Sequence, residues 1–120
     1  MIYEQVGGEP FFEALVQRFY EGVADDSLLR PLYPEADLGP AAQRLKLFLM
    51  QYFGGPGTYS ERRGHPRLRM RHMGFSVGEA ERDAWLLHMR RSLDAAQLPA
   101  ELQEPIWSYF VQAAEFLRNN

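Results

Sequence analysis

Residues 65–75 have the sequence "HPRLRMRHMGF", in which three alternating arginines lead to His72. An arginine-rich run is typical of a solvated face or of a nucleic-acid contact. Met73 and Phe75 follow the histidine, and a histidine beside apolar residues is commonly an ordinary core side chain. The spacing alone leaves both interpretations open, together with a third in which His72 is a ligand.

The composition fits a single domain spanning residues 1–120. The chain is 46% hydrophobic and has no cysteine, which excludes disulfides, thiolate zinc sites, iron–sulfur ligation and covalent C-x-x-C-H haem attachment. No apolar run approaches the roughly 20 residues that span a bilayer, and the N-terminus lacks a signal-peptide pattern. We therefore expect a cytoplasmic protein without a membrane span. The formal net charge of −3 argues against polyanion binding by the molecule as a whole.

Helix signals recur along the chain and convincing alternating β patterns are absent, which predicts an all-α fold with four longer helices. The first helix opens at Glu9-Pro10 and the second at Pro40, because proline is tolerated in the first turn of a helix. The Gly-Gly-Pro sequence at 54–56 ends the second helix. Residues 56–65 are predicted to form an ordered loop.

The second half of the chain predicts two more long helices. The segment "HPRLRMRH" is expected to form one short helix before them. Ser76 and Glu79 have the S-x-x-E spacing of a capping box, which predicts that Ser76 caps a long helix running to about Gln97. The last helix is predicted to start near Pro99.

The lone histidine suits haem better than zinc. A closed zinc site needs four ligands, and His72 has no partner at the spacing of H-E-x-x-H or a similar motif. Haem requires less of the protein, because the porphyrin supplies four nitrogens and one imidazole can complete the coordination. The neighbouring arginines would then face the two haem carboxylates, for which guanidinium offers a bidentate fork.

Most of residues 6–89 resemble the truncated haemoglobins, specifically group II of that family. The segments that carry the likeness are "VGGEPFFEALVQRFYEGV", "RPLYPEADL", "RLKLFLMQYFGGPGTYSERRGHPRLRMRHMGF" and "ERDAWLLHM". The resemblance implies a two-over-two helical sandwich around one b-type haem. The last thirty residues match only as an amphipathic final helix.

The resemblance also implies roles for individual residues at the iron. His72 matches the proximal axial ligand of the haem iron. Tyr20 matches the tyrosine whose hydroxyl points at the distal ligand. Tyr33 matches a second distal position, which in this group can be Tyr, Phe or His, and Trp85 matches the tryptophan over the distal haem face.

A second set of residues matches positions around the haem. Ala41 stands where myoglobin-like globins have a histidine, so no distal histidine is expected. Leu45 follows one turn later and should pack over the iron. The other expected haem contacts are Arg44, Tyr59 and Arg69 near the propionates, together with Phe48 and Phe75.

These roles imply a protein that binds O2, CO and NO at a five-coordinate haem iron. Tyr20, Tyr33 and Trp85 would place three donors around one ligand. At ~1 kcal/mol each, two good hydrogen bonds would slow release by roughly 10- to 100-fold. Slow release favours a redox role, such as NO detoxification or peroxidase-like turnover with a reductase that the sequence does not identify. Buried aromatic residues that only fill the core are the alternative interpretation of the same positions, and a homodimer is a candidate assembly.

A different class of function is a helical nucleic-acid or protein-interaction module that uses the basic run Arg62–Arg71. Such a module usually has a basic surface with accessible aromatic residues, or a helix-turn-helix. Here the basic run is isolated in an acidic chain with a pI near 5.6. The composition therefore favours haem binding without nucleic acid as a partner.

Overall fold

The computed structural model describes residues 1–64 and 77–119, and every regular element in those two ranges is helical. In chain order the helices are α1 (Ile2–Gln5), α2 (Glu9–Ala24), a 3-10 turn (Arg30–Leu32), α3 (Gly39–Tyr52), α4 (Thr58–Arg63), α5 (Glu79–Asp94) and α6 (Ala100–Leu117). The predicted all-α fold is confirmed. The short helix expected over "HPRLRMRH" lies outside the described residues.

The four longer helices form two layers of two. Helix α2 packs on α3 in one layer, α5 packs on α6 in the other, and α2 also contacts α5 across the sandwich. This arrangement confirms the predicted two-over-two sandwich. The shared core is built from apolar residues of all four helices, among them Phe12, Leu15, Phe19, Leu49, Met89, Leu93, Ile106 and Phe110.

Proline and glycine set the ends of α2 and α3 as the sequence predicts. Pro10 and Pro40 lie in the first turns of their helices, where a missing N–H group costs no hydrogen bond. Gly8, immediately before α2, has φ of 73°, a conformation that strains other residues. Gly8 therefore permits the turn through which the chain enters α2.

A close approach between α2 and α5 brings the two layers together. A Cβ atom on Gly22 would collide with the imidazole of His88 on α5, so a larger residue there would have to displace that ring. One turn earlier on α2, Arg18 donates to the backbone carbonyl of Ser92 through Nη2 (2.8 Å) and Nε (3.1 Å). These contacts hold α5, which carries Trp85, against α2, which carries Tyr20.

The predicted loop over 56–65 is wrong for Thr58–Arg63, which forms α4. The helix is held by tertiary contacts rather than by a strong local signal. Gln51 on α3 accepts a hydrogen bond from the Ser60 backbone N–H (3.0 Å) and donates to the Ser60 hydroxyl (2.8 Å). Tyr59 is buried, which anchors the same turn in the core.

The predicted cap of the third long helix is also wrong. Helix α5 begins at Glu79 with Gly78 as its N-cap, rather than with Ser76. The Gly78 backbone N–H donates to the Glu81 carboxylate at 2.7 Å, so the capping interaction is shifted by two residues. The helix ends at Asp94, and Gln97 lies beyond it with φ of 53°.

The short helix α1 was not predicted, because four residues give too little pattern. Helix α6 begins at Ala100 after Pro99, as expected, and continues through Pro105. Across the two described ranges, no helix combines the length and apolar character needed to cross a membrane.

Candidate functional site

Tyr20 and Tyr33 form the centre of the candidate site. Tyr20 projects from α2 and is 8% exposed, and Tyr33 follows the 3-10 turn. Their ring centroids are 5.5 Å apart with the planes at 81°, an edge-to-face contact. The structure therefore brings together two of the three residues predicted to lie at the distal ligand.

Both phenols are held in the neutral form. Burial raises the pKa of Tyr20 strongly, and Tyr33 adds to the rise through its charge and through a hydrogen bond. Burial also raises the pKa of Tyr33, although the hydrogen bond from Tyr20 lowers it.

The loop that carries Tyr33 is fixed at both ends. At its start, Asp26 Oδ1 accepts hydrogen bonds from the backbone N–H groups of Leu28 (2.8 Å) and Leu29 (3.2 Å). Farther along, the Arg30 guanidinium donates to the carbonyl oxygens of Tyr33 (2.9 Å) and Glu35 (2.7 Å). Asp26 and Arg30 therefore hold the backbone of the loop that carries Tyr33.

Arg44, expected near the haem propionates, forms an ion pair with Glu35 in this structure. Its Nη2 lies 2.9 Å from Glu35 Oε1. This hydrogen bond holds the pKa of the Glu35 carboxyl below its usual range. The second oxygen, Glu35 Oε2, is buried and has no hydrogen-bond partner among the described residues. Both charges act on the pKa values of Tyr20 and Tyr33, which Arg44 lowers and Glu35 raises.

Trp85 completes the predicted distal set from the opposite layer. It lies on α5, half-buried, with its ring centroid 5.1 Å from Phe19 and 5.6 Å from Phe110. Phe19 also contacts Tyr20 at 5.0 Å. One phenylalanine thus separates the tryptophan from the tyrosine pair.

The apolar residues expected at the haem lie on or beside α3. Ala41 and Phe48 are buried, and Leu45 is half-buried on the same helix. Tyr59, from α4, packs edge-to-face on Phe48 with centroids 5.4 Å apart. The structure places these four residues in one helical unit formed by α3 and α4.

Three predicted residues lie outside the described ranges: Arg69, His72 and Phe75. The proximal ligand therefore remains a prediction from the sequence. Among residues 1–64 and 77–119, no group of three or more His, Asp or Glu side chains could hold a metal ion.

A groove of about 510 Å³ runs between α2, α3 and the loop before α3. The residues that line it include Val16, Tyr20, Arg30, Gln43 and Lys46. The groove reaches Tyr20 at the centre of the site, although only 8% of that residue is exposed. Sequence patterns gave no indication of it, because its walls come from three separate segments.

Sequence reasoning also missed the partner of His88. Its Nε2 lies 2.7 Å from Asp26 Oδ2, and both side chains are mostly covered. The two residues are 62 positions apart, so no local motif could have paired them. The pair braces the start of the Tyr33 loop against α5.

The comparisons with known proteins all point to the same family. A family model described as bacterial-like globin matches residues 1–119. The group 2 truncated hemoglobin YjbI of Bacillus subtilis (strain 168) is 40% identical over 117 residues, covering 98% of this chain and 87% of that protein.

Two solved structures are similar over nearly their whole length. The thermostable hemoglobin from Thermobifida fusca superposes with a TM-score of 0.98 at 61% identity, covering 99% of this chain and 97% of that one. The truncated oxygen-avid haemoglobin from Bacillus subtilis superposes with a TM-score of 0.92 at 40% identity, covering 98% of each chain.

Proposed function

Because this chain belongs to the bacterial-like globin family as a group II truncated haemoglobin, we propose that it binds O2 and related diatomic ligands at haem b and releases them slowly. Haem binding and a role in ligand binding follow from the family. The observation that carries slow release is the ring contact between Tyr20, which is buried, and Tyr33, which is half-buried. The relative whose structure is described as oxygen-avid supports the same behaviour.

The described residues fit a haem at this place. Tyr33, Leu45 and Trp85 contact the core but keep part of their apolar surface uncovered, as expected for side chains that line a cofactor pocket. Ala41 is small and buried, so α3 brings no competing polar side chain at that position. From the resemblance, we assign His72 as the axial ligand of the iron and Arg69 and Phe75 as further haem contacts.

When bound, haem supplies the iron on which O2, CO and NO bind reversibly. The protein adds hydrogen-bond donors on the distal side. The proposed donors of the α2 side are the hydroxyl groups of Tyr20 and Tyr33, whose rings are in edge-to-face contact. Trp85 offers its indole N–H from the other layer. In a water-poor pocket these donors hold a partly negative ligand more strongly than they would in water.

A protein that releases its bound ligand slowly is better suited to a redox reaction on that ligand than to oxygen delivery. We therefore include a redox role in the proposal, either NO detoxification or peroxidase-like turnover, with a reductase as the electron donor. Raised pKa values keep the phenols of Tyr20 and Tyr33 protonated at physiological pH, so they act as donors throughout such a reaction. The proposal includes a cytoplasmic location and keeps the homodimer as a candidate assembly.

An absorption spectrum tests the first part of this proposal. The protein purified with haem is expected to show a Soret band that shifts when the iron is reduced and exposed to CO. The His72→Gly variant should lose the pigment or change its spectrum. A colourless protein whose affinity for DNA falls with salt would instead support the nucleic-acid module.

Stopped-flow measurement of O2 release tests the second part. Tyr33→Phe and Trp85→Phe should together speed release by roughly 10- to 100-fold, since each removes a hydrogen bond of ~1 kcal/mol. Trp107→Phe is the matched control, because Trp107 packs against Arg90 instead of against the site. Release that is fast in the unmodified protein and insensitive to both substitutions would contradict slow release by distal donors.

A further inference from the structure

A continuous series of aromatic rings leads from the candidate site to the protein surface. Trp85 contacts Phe110 with centroids 5.6 Å apart, and Phe110 contacts Tyr109 at 5.8 Å. Tyr109 stacks on Tyr52 at 4.0 Å with the planes inclined by 30°. Each ring of this series therefore touches the next one.

Exposure rises towards the end of the series. Phe110 is 1% exposed, Tyr109 is half-buried, and Tyr52 at the end of α3 is 54% exposed. A second contact reaches the same place, because Tyr52 lies 6.2 Å from Phe48, a predicted haem contact. Both routes from the interior reach solvent at Tyr52.

The residue types along the series differ in their redox chemistry. Tryptophan and tyrosine can lose one electron under strongly oxidising conditions, whereas phenylalanine acts only as a bridge. A tyrosine that loses an electron must also release its phenolic proton. Burial raises the pKa of Tyr109 and opposes that release, while the exposed Tyr52 can pass its proton to water. Oxidation that enters the series is therefore most stable on Tyr52.

We propose that Tyr52 is a surface oxidation site, at which small phenolic donors deliver electrons that pass inward through Tyr109, Phe110 and Trp85. This inference rests on the peroxidase-like form of the proposed function and names its substrate class. The packing favours it because Tyr52 is 54% exposed, whereas Tyr20 is 8% exposed. A phenol in solution therefore meets the Tyr52 ring far more readily than the Tyr20 ring.

The reaction balances with hydrogen peroxide as the oxidant and a phenol as the reductant. One peroxide accepts two electrons and two protons and becomes two waters. Each electron comes from Tyr52, which releases its proton to solvent and becomes a neutral tyrosyl radical. The radical then takes a hydrogen atom from a phenol, which restores Tyr52 and leaves a phenoxyl radical. Two such cycles consume one peroxide and oxidise two phenols.

The test treats haem-loaded protein with hydrogen peroxide in the absence of a phenol. The Tyr52 radical should then appear by electron paramagnetic resonance in rapidly frozen samples, and radicals on two molecules should couple. Peptide mapping is expected to locate a dityrosine cross-link at Tyr52. Tyr52→Phe should abolish both signals, and Tyr109→Phe should weaken them.

Tyr3→Phe is the matched control, since Tyr3 stacks on Phe12 in the same aromatic core but does not touch Tyr109. It should leave the radical and the cross-link unchanged. Cross-linking that persists in Tyr52→Phe, with a normal Soret band and normal peroxide consumption, would overturn this inference alone. A protein that binds no haem would overturn the proposed function as well.

Discussion

Asp26 Oδ2 and His88 Nε2 lie 2.7 Å apart and join the loop after α2 to the middle of α5. The other carboxylate oxygen of Asp26 caps the backbone N–H groups of Leu28 and Leu29. One carboxylate therefore orders the loop that leads to Tyr33 and fastens it to the opposite layer.

This contact predicts a loss of stability in acid. The hydrogen bond from His88 is the main cause that lowers the pKa of Asp26 in the folded protein below its ordinary value of 3.8. A depressed carboxyl pKa stabilises the folded state above the unfolded pKa, and that stability is lost as pH falls through the folded value. The free energy of unfolding in urea, measured from about pH 6 down to pH 2, tests this prediction. Carboxyl groups titrate over about this pH range.

The Asp26→Asn variant isolates this charge. Asparagine keeps an oxygen for the Leu28 cap but no longer titrates, so the acid-dependent loss should be smaller than in the unmodified protein. Asp25→Asn removes a neighbouring carboxylate and leaves the His88 contact in place, so its acid-dependent loss should persist. Equal pH dependence in Asp26→Asn and in the unmodified protein would show that the pair does not stabilise the fold through charge.

Lys46 on α3 predicts a second stability effect. It is 8% exposed, and its Nζ lies 2.7 Å from Glu13 Oε2 and 3.1 Å from Glu9 Oε2 on α2. The hydrogen bond with Glu13 is the main cause that raises the pKa of Lys46. Glu13→Gln should therefore destabilise the protein more than Glu9→Gln, by about 0.5–1 kcal/mol, because the carboxylates are exposed and screened.

Urea unfolding at low salt and at high salt checks this order. The difference between the two variants should shrink at high salt, since added ions screen exposed charges. Glu101→Gln is a control on the exposed surface of α6, where Glu101 forms no ion pair with a described residue. A larger loss of stability in Glu9→Gln than in Glu13→Gln would show that Glu9, rather than Glu13, is the main partner of Lys46.

The sequence predicted the long helices well because proline and glycine mark their ends. Pro10, Pro40 and Pro99 each lie at the start of the expected helix. Helix α4 was missed because its order depends on hydrogen bonds from Gln51, which lies on another helix. The N-cap of α5 was placed two residues early because Glu81, rather than Glu79, accepts the capping hydrogen bond.

For the candidate site too, the sequence predicted some features and missed others. The resemblance identified Tyr20, Tyr33 and Trp85, and the structure places the tyrosines in contact with Trp85 one phenylalanine away. No pattern indicated that Arg30 and Asp26 fix the Tyr33 loop, because each bonds backbone groups that have no sequence signature. The roles of His72 and its neighbours remain predictions from the resemblance.

Alkaline conditions give a third prediction, which concerns Tyr20. Its pKa is raised in the folded protein, mainly by burial, whereas in the unfolded chain it returns to about 10. The contribution of such a group to the stability of the fold is fully present below its pKa in the unfolded chain. It is lost progressively as pH rises above that value. The loss is about 1.4 kcal/mol per pH unit for each raised group. Tyr33 and Tyr109 shift in the same direction and steepen the loss.

Ultraviolet titration of the phenols checks this prediction in the folded and unfolded states. In urea, Tyr20→Phe should lose one of the six tyrosine signals of the unmodified chain. In the folded protein the same substitution should leave the titration near pH 10 unchanged, because the Tyr20 proton does not leave there. If the folded variant loses a signal at the ordinary pKa of tyrosine, then the Tyr20 hydroxyl meets solvent. A solvated Tyr20 hydroxyl would contradict the proposed role of Tyr20 as a distal donor in a water-poor pocket.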